Sequence, residues 1–297
     1  MLLTTASALL SKPSAADVWH LVGAGSMGSL AAARILAAGF ALRLISRDRQ
    51  PAWRQLHWPD GQSSNIHLAA DNDEPIRHLV VAVKAGDTMA AIQPLLPRLH
   101  PQAEILRLQN GMGTLDGLAL PAAVRCLHLV STDGAWRAGE RIQVVAQNRT
   151  LIGAGGQPPV WLEALQRHWP GLTWSADIQR AQWQKLAINA VINPLTALYR
   201  CRNGELFDGG EREQRMAVLA GEADQLLCRL YPDWPADTLA RSGEVAQQTA
   251  ANTSSMLADV LAGRPTEIEF INGYLLRRAG QLGLTLPAHQ ALLTALG

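Results

Sequence analysis

Apolar positions in the first half of the chain come in short runs. Residues 18–22 (Val-Trp-His-Leu-Val) and 79–83 (Leu-Val-Val-Ala-Val) are nearly unbroken, as in strands covered on both faces, and residues 41–45, 105–108 and 124–130 add further strand-like segments. Residues 26–38 carry Ala and Leu at helical spacing between the first strand and the second. Strand, helix, strand in this order predicts an α/β fold with a parallel sheet and helices on its faces. The alternation breaks over residues 50–77, where Pro59-Asp60-Gly61-Gln62 predicts a hairpin turn. Past residue 176 the β-branched runs stop, and apolar spacing predicts helices over 178–200, 211–230, 237–261 and 266–282. The change of period puts a domain boundary at Ser175-Ala176-Asp177. The chain therefore reads as an N-terminal extension over 1–17, a sheet domain over 18–176 and an all-α domain over 177–297.

Composition narrows the classes. A length of 297 residues suits two domains, and 48% hydrophobic against 17% charged residues excludes a disordered chain. With 26 Lys plus Arg against 25 Asp plus Glu, the cationic excess expected of a nucleic-acid partner is missing. No apolar stretch reaches about 18 residues, so no membrane span is expected. Cys126, Cys201 and Cys228 are odd in number and lie far apart, which predicts free thiols in a reducing cytoplasm. Near the N-terminus the apolar run precedes Lys12 instead of following a basic segment, so residues 1–17 read as an extension and not as an export signal.

Gly23-Ala24-Gly25-Ser26-Met27-Gly28 follows the first strand and opens the first helix. That placement turns a weak GxGxxG match into a dinucleotide-binding, Rossmann-type loop: one glycine for the turn, one for approach to a pyrophosphate, one for helix packing. At the end of the second strand stands Ser46-Arg47-Asp48-Arg49. Arg47 favours a 2′-phosphate and hence NADP(H), while Asp48 keeps NAD(H) open. Two later strand ends carry Lys84 and Asn110, the latter in Gln109-Asn110-Gly111-Met112-Gly113.

In the second half, residues 183–196 would form a buried helix but for Lys185, Asn189, Asn193 and Thr196. These fall within a stripe roughly 80° wide at about 100° per residue. A lysine and two amides on such a helix need partners, and a ligand cavity or an interhelical seam would supply them. A second cluster runs from Asn252 through Ser254, Ser255 and Asp259 to Thr266, Glu267 and Glu269. Thr266 with Glu269 predicts a capping box, leaving Glu267 at the first helical position available for chemistry.

Taken together, the GAGSMG loop, the segments at Lys84 and Asn110, residues 183–196, Asn203-Gly204-Glu205-Leu206 and the Ser254-to-Gly273 segment resemble the 2-dehydropantoate 2-reductase (ketopantoate reductase) family over nearly the whole chain. The resemblance implies a Rossmann-type domain followed by a helical domain like the C-terminal domain of 6-phosphogluconate dehydrogenase. It also implies NADPH-dependent reduction of ketopantoate to (R)-pantoate on the route to pantothenate and coenzyme A. Lys185 would be the general acid and Glu267 would bond the oxygen at the reacting carbon. Asn110, Asn189, Asn193 and Ser255 would hold the substrate, with Lys84 and Asn110 also at the cofactor. A related reductase of another short 2-oxo acid, and a non-catalytic NADP(H) sensor, stay open at this point. Monomer and homodimer also stay open.

Overall fold

A computed structural model describes residues 18–297 apart from residue 208, so the extension expected over 1–17 lies outside the described residues. Contacts divide the chain into two units. One holds the described residues up to Val83 together with Pro94–Leu108 and Leu120–Trp174. The other holds Lys84–Gln93, Gln109–Ala119 and Ser175–Gly297. Two strand-end segments of the N-terminal half thus belong by contact to the helical unit, a division that no linear boundary expresses.

The first unit is built on β1 (Trp19–Val22), α1 (Ser26–Ala37), β2 (Leu42–Ile45), β3 (Ala52–His57), β4 (Ser63–Ala70) and β5 (Ile76–Val81). After α2 (Thr88–Ile92), which belongs to the second unit, come β6 (Leu99–Arg107), β7 (Arg125–Ser131), β8 (Gly134–Ala138), β9 (Arg141–Ala146), β10 (Thr150–Gly153), α3 (Leu162–Gln166) and β11 (Leu172–Trp174). The strands form one sheet in the order β11-β10-β7-β6-β5-β1-β2-β4-β3-β9-β8. Its centre, β7-β6-β5-β1-β2, is parallel as the sequence predicts. Leu79, Val80 and Val81 are fully buried there, because layers on both faces exclude water from a central parallel strand. Trp19 stacks on His78 and meets Trp161 edge-on, both at 4.9 Å between ring centroids.

The turn at Pro59–Gln62 does join an antiparallel hairpin, β3 to β4. The sheet nevertheless continues past it through β9 and β8, and β10 runs antiparallel to β7, so the whole sheet is mixed. Strands β8 and β9 escape a reading by apolar runs because they are wet on one side, and β10 because it is only four residues long. In β9, Ile142 and Val144 are buried while Val145 is exposed.

His128 on β7 lies partly buried with Nδ1 3.3 Å from the guanidinium of buried Arg107. Burial first, and then that guanidinium, push its pKa down to about 4 from 6.5. A base depressed in the folded state binds its proton more readily when unfolded, so stability is lost as pH falls through the window between these values. Exchanging His128 for Gln is expected to flatten that acid decline by on the order of 1–3 kcal/mol, read from urea unfolding at neutral pH and near pH 4. An unchanged difference between the two pH values would contradict this assignment.

The second unit packs α4 (Ile178–Tyr199), α5 (Glu211–Leu230), α6 (Thr238–Gln248), α7 (Ser255–Leu261), α8 (Ile268–Gln281) and α9 (Pro287–Leu296). Its core joins Trp183, Leu186 and Ala190 of α4 to Leu226, Leu227, Met256, Ile271 and Leu275. Two expectations are corrected. The single helix over 237–261 is broken into α6 and α7, because Thr249 returns its hydroxyl to the Val245 carbonyl (2.6 Å) and Ser254 caps α7 through the Leu257 N–H (3.1 Å). The capping box of Thr266 and Glu269 does not form: α8 starts at Ile268, with Glu267 itself at the N-cap in a non-helical conformation. Glu269 instead lies exposed, 3.9 Å from Arg277. Helix α9, introduced by Pro287, was not among the expected elements. Among the described residues no helix is long and apolar enough to cross a membrane.

Candidate active site

One group of candidate residues, in the first unit, is the loop between β1 and α1. Gly23 has φ +97°, and a Cβ there would come within 2.6 Å of the Val83 nitrogen. A Cβ on Gly28 would sit 1.9 Å from the Gly23 carbonyl oxygen. Both glycines are therefore demanded by the chain's own packing. Gly25 is different. Its φ of −73° suits any residue, and a Cβ there would meet nothing within 4 Å among the described residues.

Glycine at that position leaves the backbone open to close approach by a group from outside the chain. Helix α1 begins there with no side-chain cap and no acidic residue in its first turn, an arrangement suited to an anion. Ser26 and Met27 open the helix, partly exposed. The loop thus fits the pyrophosphate of a dinucleotide.

At the end of β2, Arg47 is exposed, and no carboxylate among the described residues forms an ion pair with it. Its neighbours are engaged. The Ser46 hydroxyl donates to Asp48 Oδ1 at 2.7 Å, and Arg49 pairs with Asp73. The Ser46 bond, followed by one from the Gln50 N–H, holds the Asp48 carboxyl below its usual range. Asp48, the residue that would favour a free ribose hydroxyl, has its Oδ1 engaged by these two local donors.

A second group lies within the helical unit, where two segments dock onto the start of α8. The Ala85 N–H donates to Glu267 Oε1 at 2.9 Å, and Lys84 Nζ lies 2.5 Å from Asp259 Oδ1 on α7. Asp259 is buried and is also held by Arg264, at 3.0 Å. Beside them, the Met112 N–H donates to the Phe270 carbonyl at 2.9 Å, and Gly111 presses so close to Phe270 that a Cβ would come within 2.4 Å. Asn110, adjoining Gly111, is thereby carried to the first turn of α8.

Lys185, Asn189 and Asn193 rise along α4, the first two partly buried and Asn193 buried. Pro194 does not interrupt the helix. Thr196 leaves the stripe's presumed duty, since it is fully buried with its hydroxyl 2.7 Å from Ser254 Oγ and 2.9 Å from the Asn193 carbonyl. That seam fastens the start of α7 to α4. Ser254 faces inward while the following residue, Ser255, is exposed.

The sequence reading assigned no role to Asp259, Arg54 or Arg137. Asp259 had a faint signal, standing one turn after Ser255 on a short helix. The two arginines carry none, because β3 and β8, the strands that hold them, are exposed or half-buried at most positions and leave no apolar run.

A Rossmann-type sheet with a phosphate-fitting loop, followed by a helical unit bearing a lysine and amides on one helix face, defines a nicotinamide-dependent oxidoreductase. Comparison with known proteins sharpens the class. Family models described as "Ketopantoate reductase PanE/ApbA" and its C-terminal part match residues 19–157 and 177–297. The 2-dehydropantoate 2-reductase of Yersinia pestis is 39% identical over 240 residues, covering 78% of each chain. That of Vibrio cholerae is 32% identical over 293 residues, covering 92% of this chain and 94% of its own. A solved ketopantoate reductase from Ralstonia eutropha superposes with TM-score 0.82 at 22% identity, over 94% of this chain and 97% of that one. The chain belongs to the ketopantoate reductase family.

Proposed function

We propose that this protein reduces 2-dehydropantoate to (R)-pantoate with NADPH, Lys185 serving as the general acid. The observation that carries this reading is the likeness to 2-dehydropantoate 2-reductases over 92% of the chain, at 32% identity. The intact polar face of α4 supports it. Bound NADPH would supply the hydride that adds to the ketone carbon. The oxygen then gains negative charge, and the Lys185 ammonium neutralises it and donates the proton that completes the hydroxyl.

Asn189, Asn193, Asn110 and Ser255 offer amide and hydroxyl groups to the carboxylate and hydroxyl of the substrate. Glu267 accepts from the Ala85 N–H through one oxygen, and a carboxylate keeps acceptor capacity beyond a single bond, enough to hold the product hydroxyl. Arg47 would meet the 2′-phosphate, with the glycine loop on the pyrophosphate. Lys84, tied to Asp259, would stand at the cofactor side. The three cysteines are free thiols, which suits work in a reducing compartment.

The test is NADPH consumption across a panel of short 2-oxo acids, with ketopantoate expected to give the highest kcat/KM. A clear preference for a different 2-oxo acid would replace the substrate but keep the chemistry, and no turnover with any would overturn the reading. With the preferred acid, Arg47→Ala is expected to raise KM for NADPH about tenfold or more and to leave KM for NADH nearly unchanged. Equal rises for both cofactors would remove the 2′-phosphate from Arg47.

A further inference from the structure

We propose that Arg54 and Arg137 form a second cationic anchor, separate from Arg47, for a phosphate group of the bound dinucleotide. The inference rests on the NADP(H)-binding reading above. Arg54 comes from β3 and Arg137 from β8, strands separated in the sheet by β9. Their guanidiniums nonetheless reach the same atom, the carbonyl oxygen of Ala24, at 3.3 Å and 3.0 Å. Ala24 stands between Gly23 and Gly25, at the centre of the glycine loop and next to the position that is open for an outside group.

The charge balance at this point is incomplete. Two unit positive charges share one neutral carbonyl, and neither arginine forms an ion pair with a described carboxylate. Arg54 also donates to its neighbour's carbonyl, Trp53 O, at 2.6 Å, and its Nε is buried without a partner. Burial, and after it the charge of Arg137, lower the Arg54 pKa, with Glu140 offsetting part of this. Like charges brought together at one atom, Arg54 partly buried and Arg137 exposed, favour an anion beside them. A phosphate is well matched to guanidinium forks, which bond two of its oxygens at once.

If the pair merely braced the loop, one arginine on the carbonyl would suffice, and its loss would appear in folding stability and not selectively in cofactor affinity. Both the pyrophosphate and the 2′-phosphate offer the required chemistry, and comparing NADPH with NADH separates them.

The experiment measures Kd for NADPH and NADH by calorimetry on full-length wild type, Arg54→Gln, Arg137→Gln and the double variant, with Tm measured in parallel. Each single change is expected to weaken NADPH binding about fivefold and the double change more, with a shallower dependence on salt concentration. A loss confined to NADPH assigns the pair to the 2′-phosphate, and equal losses assign it to the pyrophosphate. Should a glutamine variant fold poorly, Arg54→Lys and Arg137→Lys keep the charge and lose the fork, and an intermediate Kd is expected. Wild-type Kd values in the folded double variant would overturn the anchor while leaving the cofactor reading intact. A wild type that binds neither cofactor would overturn both.

Discussion

Lys185→Ala is expected to lower kcat by about 10²–10⁴-fold at saturating NADPH while leaving the Kd for NADPH close to that of wild type. The expectation follows from where charge develops. Hydride addition leaves an alkoxide at the former ketone, and a positioned ammonium both stabilises that oxygen and supplies its proton. The lysine stands on a 22-residue helix whose other face is locked into the core by Trp183, Leu186 and Ala190, so its backbone is rigidly held. Removing the side chain would take away the proposed acid and leave the glycine loop, which belongs to the other unit, unaltered in sequence. Stopped-flow measurement of NADPH oxidation, with fluorescence titration of the cofactor, separates the two quantities. Near-normal turnover would transfer the acid role to another group.

Gly25→Val should produce the opposite pattern, a fold of undiminished Tm whose NADPH affinity falls by about two orders of magnitude or more. The backbone at Gly25 has φ −73° and ψ −164°, which a branched residue adopts without strain, and nothing described lies within 4 Å of its Cβ. Losing a glycine's unfolded-state freedom can even raise stability slightly. A bound pyrophosphate would meet the new side chain directly, where close backbone approach is needed. Gly28→Ala makes the informative contrast, since its Cβ would collide with the Gly23 carbonyl and lower Tm as well. If Gly25→Val bound NADPH as well as wild type does, the loop would not be the cofactor's seat.

Much of this architecture was legible in one dimension because burial leaves a periodic trace. The central strands are covered on both faces and so read as apolar runs, and α4 and α5 follow the helical period almost to the residue. Strands β8 and β9 are half-exposed, and β10 and β11 are only four and three residues long, so they leave no such trace. The break between α6 and α7 was hidden for another reason: residues 249–254 include Thr and Ser, whose side chains compete with the helix only when a neighbouring element offers partners. Here Asn203 on the adjoining turn supplies them, donating to Thr249 Oγ1 at 2.8 Å and to the Asn252 carbonyl at 3.1 Å.

The site divides in the same way. By itself the sequence determined the residue types and their local periodicity: three glycines between a strand and a helix, an arginine after the second strand, and a lysine with amides on one face of a helix. Tertiary structure alone decided which glycines are pressed against the chain's own backbone, Gly23 and Gly28, and which stands in open space, Gly25. It decided that Glu267 stands at the N-cap position of α8 with its carboxylate on the Ala85 N–H, and that Lys84 meets Asp259 across 175 positions of sequence. It also brought Arg54 and Arg137 to one carbonyl of the glycine loop. The physical reason is range. Helical and strand periodicity arises from contacts between near neighbours, whereas open space, charge pairing and hydrogen bonds between distant segments exist only once the chain has packed.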